Sequence, residues 1–126
     1  MPQPTIAIVG ASNDRRKFGN RAVRAYAQKG YTVYPIHPRE AMIEGHMVYS
    51  SILKLPVAQL DRVSLYLPED SALPMLEEIA RSPVKQVWLN PGADSPAVVE
   101  RARALGLPVV AGCSILDIGV DPHAMD

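Results

Sequence analysis

The chain has 126 residues, 48% of them hydrophobic, enough for one globular domain with its own core and too few to leave room for a second, catalytic domain. Thirteen basic and thirteen acidic residues cancel, so neither the charge balance nor any cluster argues for nucleic acid as a partner. No stretch approaches the roughly 18 apolar residues of a membrane span, the N-terminal residues lack a secretory pattern, and the single Cys113 has no disulfide partner within the chain; a cytoplasmic protein is expected.

The first element is the most informative. Ile6–Gly10 is an apolar strand that runs straight into Ala11, Ser12 and Asn13 and then into the cations Arg15, Arg16 and Lys17. A glycine at a strand end lets backbone approach an anion, and the helix that follows offers unpaired N–H groups and partial positive charge. A phosphate site is the favoured reading over a bare strand-to-helix turn. The three cations are either a solvated run or part of that site, and Arg16 and Lys17 are taken as candidates. The dinucleotide pattern Gly-x-Gly-x-x-Gly is not met, since Ser12 and Arg15 stand where its second and third glycines belong.

Phe18, Ala22, Val23 and Tyr26 then fall at helical spacing, and Gly30 hands over to a second strand, Thr32–Ile36. His37-Pro38-Arg39-Glu40 reads as a turn. His46 and His123 share no ligand spacing with His37, so no metal site is expected. Between residues 37 and 62 the pattern stays open: Gly45 marks another turn, and Val48–Leu53 fits a short strand or one helical turn.

Val63–Leu67 is the third strand, followed by Pro68 and by Glu69-Asp70, acids suited to the first turn of a helix. Ala72, Met75, Leu76, Ile79 and Ala80 give that helix its apolar face, and Pro74 is expected in its first turn, where a missing donor costs little. Gln86–Leu89 is the fourth strand, with Trp88 read as core more readily than as a stacking platform. Asn90-Pro91-Gly92 is a turn by composition, and Ser95-Pro96 is a helix start followed by Val98, Val99, Ala102 and Leu105. Gly106 ends that helix and Pro108–Ala111 is the fifth strand, with Cys113 just beyond it.

Alternating strands and helices with right-handed crossovers predict an α/β, Rossmann-like, doubly wound, mainly parallel five-stranded sheet with helices on both faces. Ligands bind such sheets at the carboxyl ends of the strands. That rule gathers the segments 11–17, 37–40, 68–70, 90–95 and 112–114 on one crevice. It makes Gly10, Ala11, Ser12, Asn13, His37, Pro38, Asn90, Pro91 and Gly92 candidates, and it puts Cys113 near the crevice mouth. A dehydrogenase of this architecture carries Asp or Glu after the second strand to hold ribose hydroxyls. Here Arg39 follows, and a cation suits a ribose phosphate, either the 3′-phosphate of coenzyme A or the 2′-phosphate of NADP.

The order Ile-Val-Gly-Ala-Ser, Phe-Gly-Asn, Tyr-Pro-Ile-His-Pro, Val-Ser-Leu-Tyr-Leu-Pro, Val-Trp-Leu-Asn-Pro-Gly and a late Gly-Cys resembles the small single-domain CoA-binding proteins. These are similar to the N-terminal domain of the succinyl-CoA synthetase α subunit. The resemblance extends from about Thr5 to Leu116. It implies that Gly10, Ala11, Ser12 and Asn13 hold the CoA phosphates and that Arg39 contacts the nucleotide phosphate. It also implies backbone contacts at Leu67, Pro68, Leu89, Asn90 and Pro91. Two departures stand out: the synthetase's active-site histidine belongs to a domain this chain does not carry, and Pro91 replaces an acidic residue before the turn glycine. The expectation is therefore a binder of CoA or acyl-CoA without catalytic residues of its own; the alternative is an NADP-dependent oxidoreductase or redox sensor. A homodimer or a protein partner is left open.

Overall fold

A computed structural model describes residues 3–125. In chain order it comprises β1 (Thr5–Val9), α1 (Phe18–Gln28), β2 (Thr32–Ile36), β3 (Met42–Ile43), β4 (His46–Met47), β5 (Leu60–Leu65), α2 (Glu69–Ile79), β6 (Val84–Leu89), α3 (Pro96–Ala104), β7 (Val109–Ala111) and α4 (Ser114–Asp117). Five strands form one parallel sheet in the order β2-β1-β5-β6-β7. The expected Rossmann-like architecture is therefore present, and its strand order reverses at β1.

The sheet is covered on both faces because β1 is apolar and buried from Ile6 to Val9. Ile6 and Ile8 point to one side, where they pack with Ala22, Val23 and Tyr26 of α1 and with Ile115 of α4. Ala7 and Val9 point to the other, against a layer that includes Leu76 and Ile79 of α2 and Val98 and Ala102 of α3. Each fully buried Ile, Leu or Val side chain among them is worth about 1.5–3 kcal/mol over leaving it in water. This is why Ile6–Val9 reads as a continuous apolar run without alternation.

Register decides where the site falls. Val9 is level with Ile36 of β2 and Leu65 of β5, Leu65 with Leu89 of β6, and Leu89 with Ala111 of β7. The residues that follow, Gly10, His37, Tyr66, Asn90 and Gly112, therefore leave the sheet along one rim.

Several boundaries differ from the sequence reading. The third strand of the main sheet is Leu60–Leu65, so Tyr66 and Leu67 already belong to the rim: Gly10 turns β1 away with φ +92°, and β5 has no neighbour to extend along. Pro74 lies in the second turn of α2, because the helix starts at Glu69 directly after Pro68. Pro74 and Asp70, whose carbonyl is left without a helical donor, are both exposed. The open stretch between residues 37 and 62 contains the antiparallel hairpin β3–β4, a parallel bridge from Tyr49 to Ile36 and a 3-10 turn at Ile52–Lys54. That turn is held to α2 through Glu78, whose carboxylate bonds the Ser51 hydroxyl and accepts from the Ile52 N–H at 2.8 Å.

Candidate functional site

A cleft of about 800 Å³ opens over the rim where β1 and β5 end. Its floor is the turn after β1. The Tyr66 N–H donates to the Val9 carbonyl at 2.9 Å, and a Cβ on Gly10 would lie 2.9 Å from the Tyr66 carbonyl oxygen, so only glycine fits where the two strand ends converge. A Cβ on Gly19, in the first turn of α1, would lie 2.2 Å from the Gly10 carbonyl oxygen. The helix start is thus pressed onto the turn. It carries no acidic residue and no side-chain cap; the Asn20 and Arg21 N–H groups donate to the Lys17 carbonyl, which leaves those of Phe18 and Gly19 and the partial positive charge to the cleft.

The charges sort themselves by partner. Arg15 Nε lies 3.6 Å from Glu44, and Arg16 is bound at 3.0 Å to Asp14, whose carboxyl it pulls down to about 2. Lys17, in no ion pair among the described residues, is the cation that lines the cleft. Among the described residues no carboxylate lines it, so the site has a positive balance suited to an anion.

His37 forms part of the opposite wall. Its Nδ1 accepts the backbone N–H groups of both Arg39 and Glu40 at 3.0 Å, which makes Nε2 the proton-bearing nitrogen and therefore a donor. Tyr66 lines the cleft with its ring while its hydroxyl bonds Ser114 Oγ at 3.2 Å; burial pushes the phenol up to about 12, so it stays neutral. Met75 of α2 completes the apolar side with Leu67 and Pro68, and Ser71, one turn before it, adds a hydroxyl to the wall.

Of the residues singled out from sequence, the cleft is lined by Gly10, Ala11, Ser12, Lys17, His37, Pro38, Leu67, Pro68, Pro91 and Gly92. Five others lie elsewhere. Asn13 gives its amide to Glu40 at 2.9 Å and to the Met42 carbonyl at 3.2 Å, and Arg16 is committed to Asp14. Arg39 stands exposed beside Pro38, at the rim. Leu89 is wholly buried as the last residue of β6. Asn90 is buried too, donating to Ser64 Oγ at 2.8 Å and the Leu65 carbonyl at 2.9 Å and accepting from the Ser114 N–H at 2.9 Å. Its amide holds the ends of β5 and β6 to the start of α4. Cys113, immediately before α4, is half-buried against the layer around Ile6 and is not part of the cleft wall. Trp88 is core, 7% exposed, with its indole N–H on Gln86 at 3.1 Å.

Sequence reasoning missed Gly19, Tyr66, Ser71 and the role of Phe18. Helical spacing groups Phe18 with the apolar face of α1, yet it is 42% exposed at the first helical position and lines the cleft, its ring edge-on to His123 at 5.7 Å. A residue at a helix start faces the end of the sheet, so its helical phase says little about burial.

A family model described as a CoA binding domain matches residues 4–118. Among curated proteins the chain is similar to the alpha subunit of an ADP-forming acetate–CoA ligase II from Pyrococcus furiosus, at 31% identity over 83 residues, covering 65% of this chain and 18% of that protein. The chain thus spans less than a fifth of the curated relatives it matches. Among solved structures, a protein of Pyrococcus horikoshii OT3 superposes with a TM-score of 0.80 at 26% identity, covering 90% of this chain and 79% of that one. A dinucleotide forming acetyl-coenzyme A synthetase 1 from Ca. Korarchaeum cryptofilum gives a TM-score of 0.70 at 27% identity, covering 84% of this chain and 25% of that one.

Proposed function

The chain belongs to the CoA-binding domain family, and on that premise we propose that it binds coenzyme A or an acyl-CoA without transforming it. The diphosphate rests on the turn Gly10–Asn13 and the start of α1, Lys17 supplies the counter-charge, and the pantetheine arm runs along Leu67, Pro68 and the turn at Pro91-Gly92. Arg39 reaches the ribose phosphate from the rim. The observation that carries this reading is the pairing pattern of the cations: Arg15 and Arg16 are bound to carboxylates, while Lys17 lines a cleft that no carboxylate among the described residues lines.

A non-catalytic role is supported by what the wall offers. His37 Nδ1 is occupied by two backbone donors, and the Ser12 hydroxyl accepts the Asp14 N–H at 3.0 Å. No lining side chain pairs a nucleophile with a base by hydrogen bond among the described residues.

Native mass spectrometry of the purified protein, followed by calorimetric titration with CoA, acetyl-CoA and NADP, tests the proposal. Retained CoA, or saturable CoA binding well above NADP binding, is the expected result. Preferential NADP binding overturns the cofactor assignment. Formation of a CoA thioester from a carboxylate and a nucleoside triphosphate by this chain alone overturns the non-catalytic role.

A further inference from the structure

The turn after β1 is braced from outside the cleft. Asn20, wholly buried in α1, donates through Nδ2 to the Ser12 carbonyl at 2.8 Å and to Glu44 Oε2 at 3.1 Å, while its Oδ1 accepts from Arg24 Nε at 2.8 Å. A guanidinium has only donors, so this arrangement allows the Asn20 amide one orientation. Because the peptide is planar, holding the Ser12 carbonyl also fixes the direction of the Asn13 N–H.

Glu44 is an odd residue for its place. It and Gly45 form the two-residue turn of the β3–β4 hairpin, with φ of 49° and 80°, the pair of left-handed conformations that a tight hairpin turn requires. Asn or Gly serves the first of these positions better, and Glu44 is the one described non-glycine residue with positive φ. What a glutamate adds is reach: its carboxylate meets Asn20, and Arg15 Nε at 3.6 Å. A conformational cost kept at a position whose side chain spans to the phosphate turn points to a role for the span.

We propose that Glu44, acting through Asn20, is a positioning residue for the turn Gly10–Asn13, so that the β3–β4 hairpin sets the affinity of the site for a diphosphate. This rests on the CoA reading given under Proposed function. Asn13, with its amide on Glu40 and the Met42 carbonyl, ties the same turn to the segment leading into the hairpin and to β3.

Three variants separate positioning from stability. Glu44→Asn and Glu44→Gly both suit the turn and neither reaches Asn20; Glu44→Gln keeps the length and an acceptor. Each is melted, titrated with CoA, and titrated with inorganic pyrophosphate while the backbone amide signals of Ala11, Ser12 and Asn13 are followed. Glu44→Asn and Glu44→Gly are expected to be at least as stable as the wild type yet to bind CoA about three- to tenfold more weakly, the loss of one braced hydrogen bond. Removing a carboxylate by itself favours an anion, so a loss carries the sign of positioning. Glu44→Gln is expected to stay within about twofold of the wild type. CoA affinity unchanged in the Asn and Gly variants, or reduced only in step with stability, overturns the proposal and leaves CoA binding intact. If the wild type ignores CoA but pyrophosphate shifts the three amides and does so less in Glu44→Asn, the CoA reading falls and the brace stands. Amides that respond to neither ligand in the wild type overturn both.

Discussion

The Gly19 Cα faces the Gly10 carbonyl so closely that a methyl group on Gly19 would lie 2.2 Å from the oxygen. In a helix, Gly→Ala ordinarily stabilises by up to about 1 kcal/mol. Here the obstructing atom is backbone, which cannot swing aside, so the clash outweighs the propensity gain. Gly19→Ala is expected to lower stability by about 3 kcal/mol, the upper end of the overpacking range. A denaturant midpoint equal to or above that of the wild type would show that α1 and the turn can separate without cost.

The two neighbouring cations are expected to behave differently toward the ligand. Lys17→Met removes the charge that lines the cleft and should weaken CoA binding by roughly ten- to a hundredfold at low salt, the loss of a charge-assisted contact. Arg16→Met, whose guanidinium is engaged by Asp14, should change affinity by less than about twofold. Isothermal titration at two salt concentrations checks both, and a larger loss for the Arg16 variant than for Lys17 would refute the assignment of charges.

Arg39 is tested by a cycle of two ligands and two proteins. Against CoA, Arg39→Ala should lose about 1.5–3 kcal/mol, and against dephospho-CoA little, with the difference shrinking as salt rises. Equal losses for both ligands would mean that Arg39 acts through the fold or the diphosphate, not through the ribose phosphate.

Tyr66 predicts an alkaline limit. Burial raises its phenol to about 12 in the folded protein, while the unfolded chain titrates near the ordinary value of 10. The folded state therefore holds the proton that the unfolded state releases, so this contribution is complete below about pH 10 and is lost as pH rises from there to about 12. Tyrosinate absorbance against pH, combined with denaturant melts, should show stability falling across that window in the wild type and falling less in Tyr66→Phe. Identical slopes for the two proteins would assign the alkaline loss to other groups, Tyr26 first among them, whose phenol burial also raises.

The sheet and the rim were legible because their physics is local and repeated. Five apolar runs must be buried on both faces, and in a parallel sheet the residues after them must emerge together, as Gly10, His37, Tyr66, Asn90 and Gly112 do. What was not legible depends on partners far along the chain. The β3–β4 hairpin has two residues per strand, too few for a period, and its turn carries Glu44 where a hairpin signature has Asn, since that glutamate answers to Asn20. Asn90 reads as a turn residue until Ser64, Leu65 and Ser114 are brought around it. The pairing of Arg15 likewise needed Glu44 in place.

The place of β1 in the sheet sets the order in which the molecule can be assembled. Its N-terminal end is bonded to β5 through Thr5, whose N–H donates to Asp61 at 2.8 Å across 56 residues of chain. A polypeptide emerging from the ribosome therefore has Ile6–Val9 and its β2 neighbour available while the other long edge of β1 is still open. Until Leu60–Leu65 arrives, one edge of this apolar strand has an unpaired row of amides, the condition under which strands pair with the wrong chain. Closing so long a loop is slow compared with forming α1, which folds from neighbours in sequence. During the interval between the two, the nascent first half of this chain, unlike the finished domain, carries β1 with one edge open.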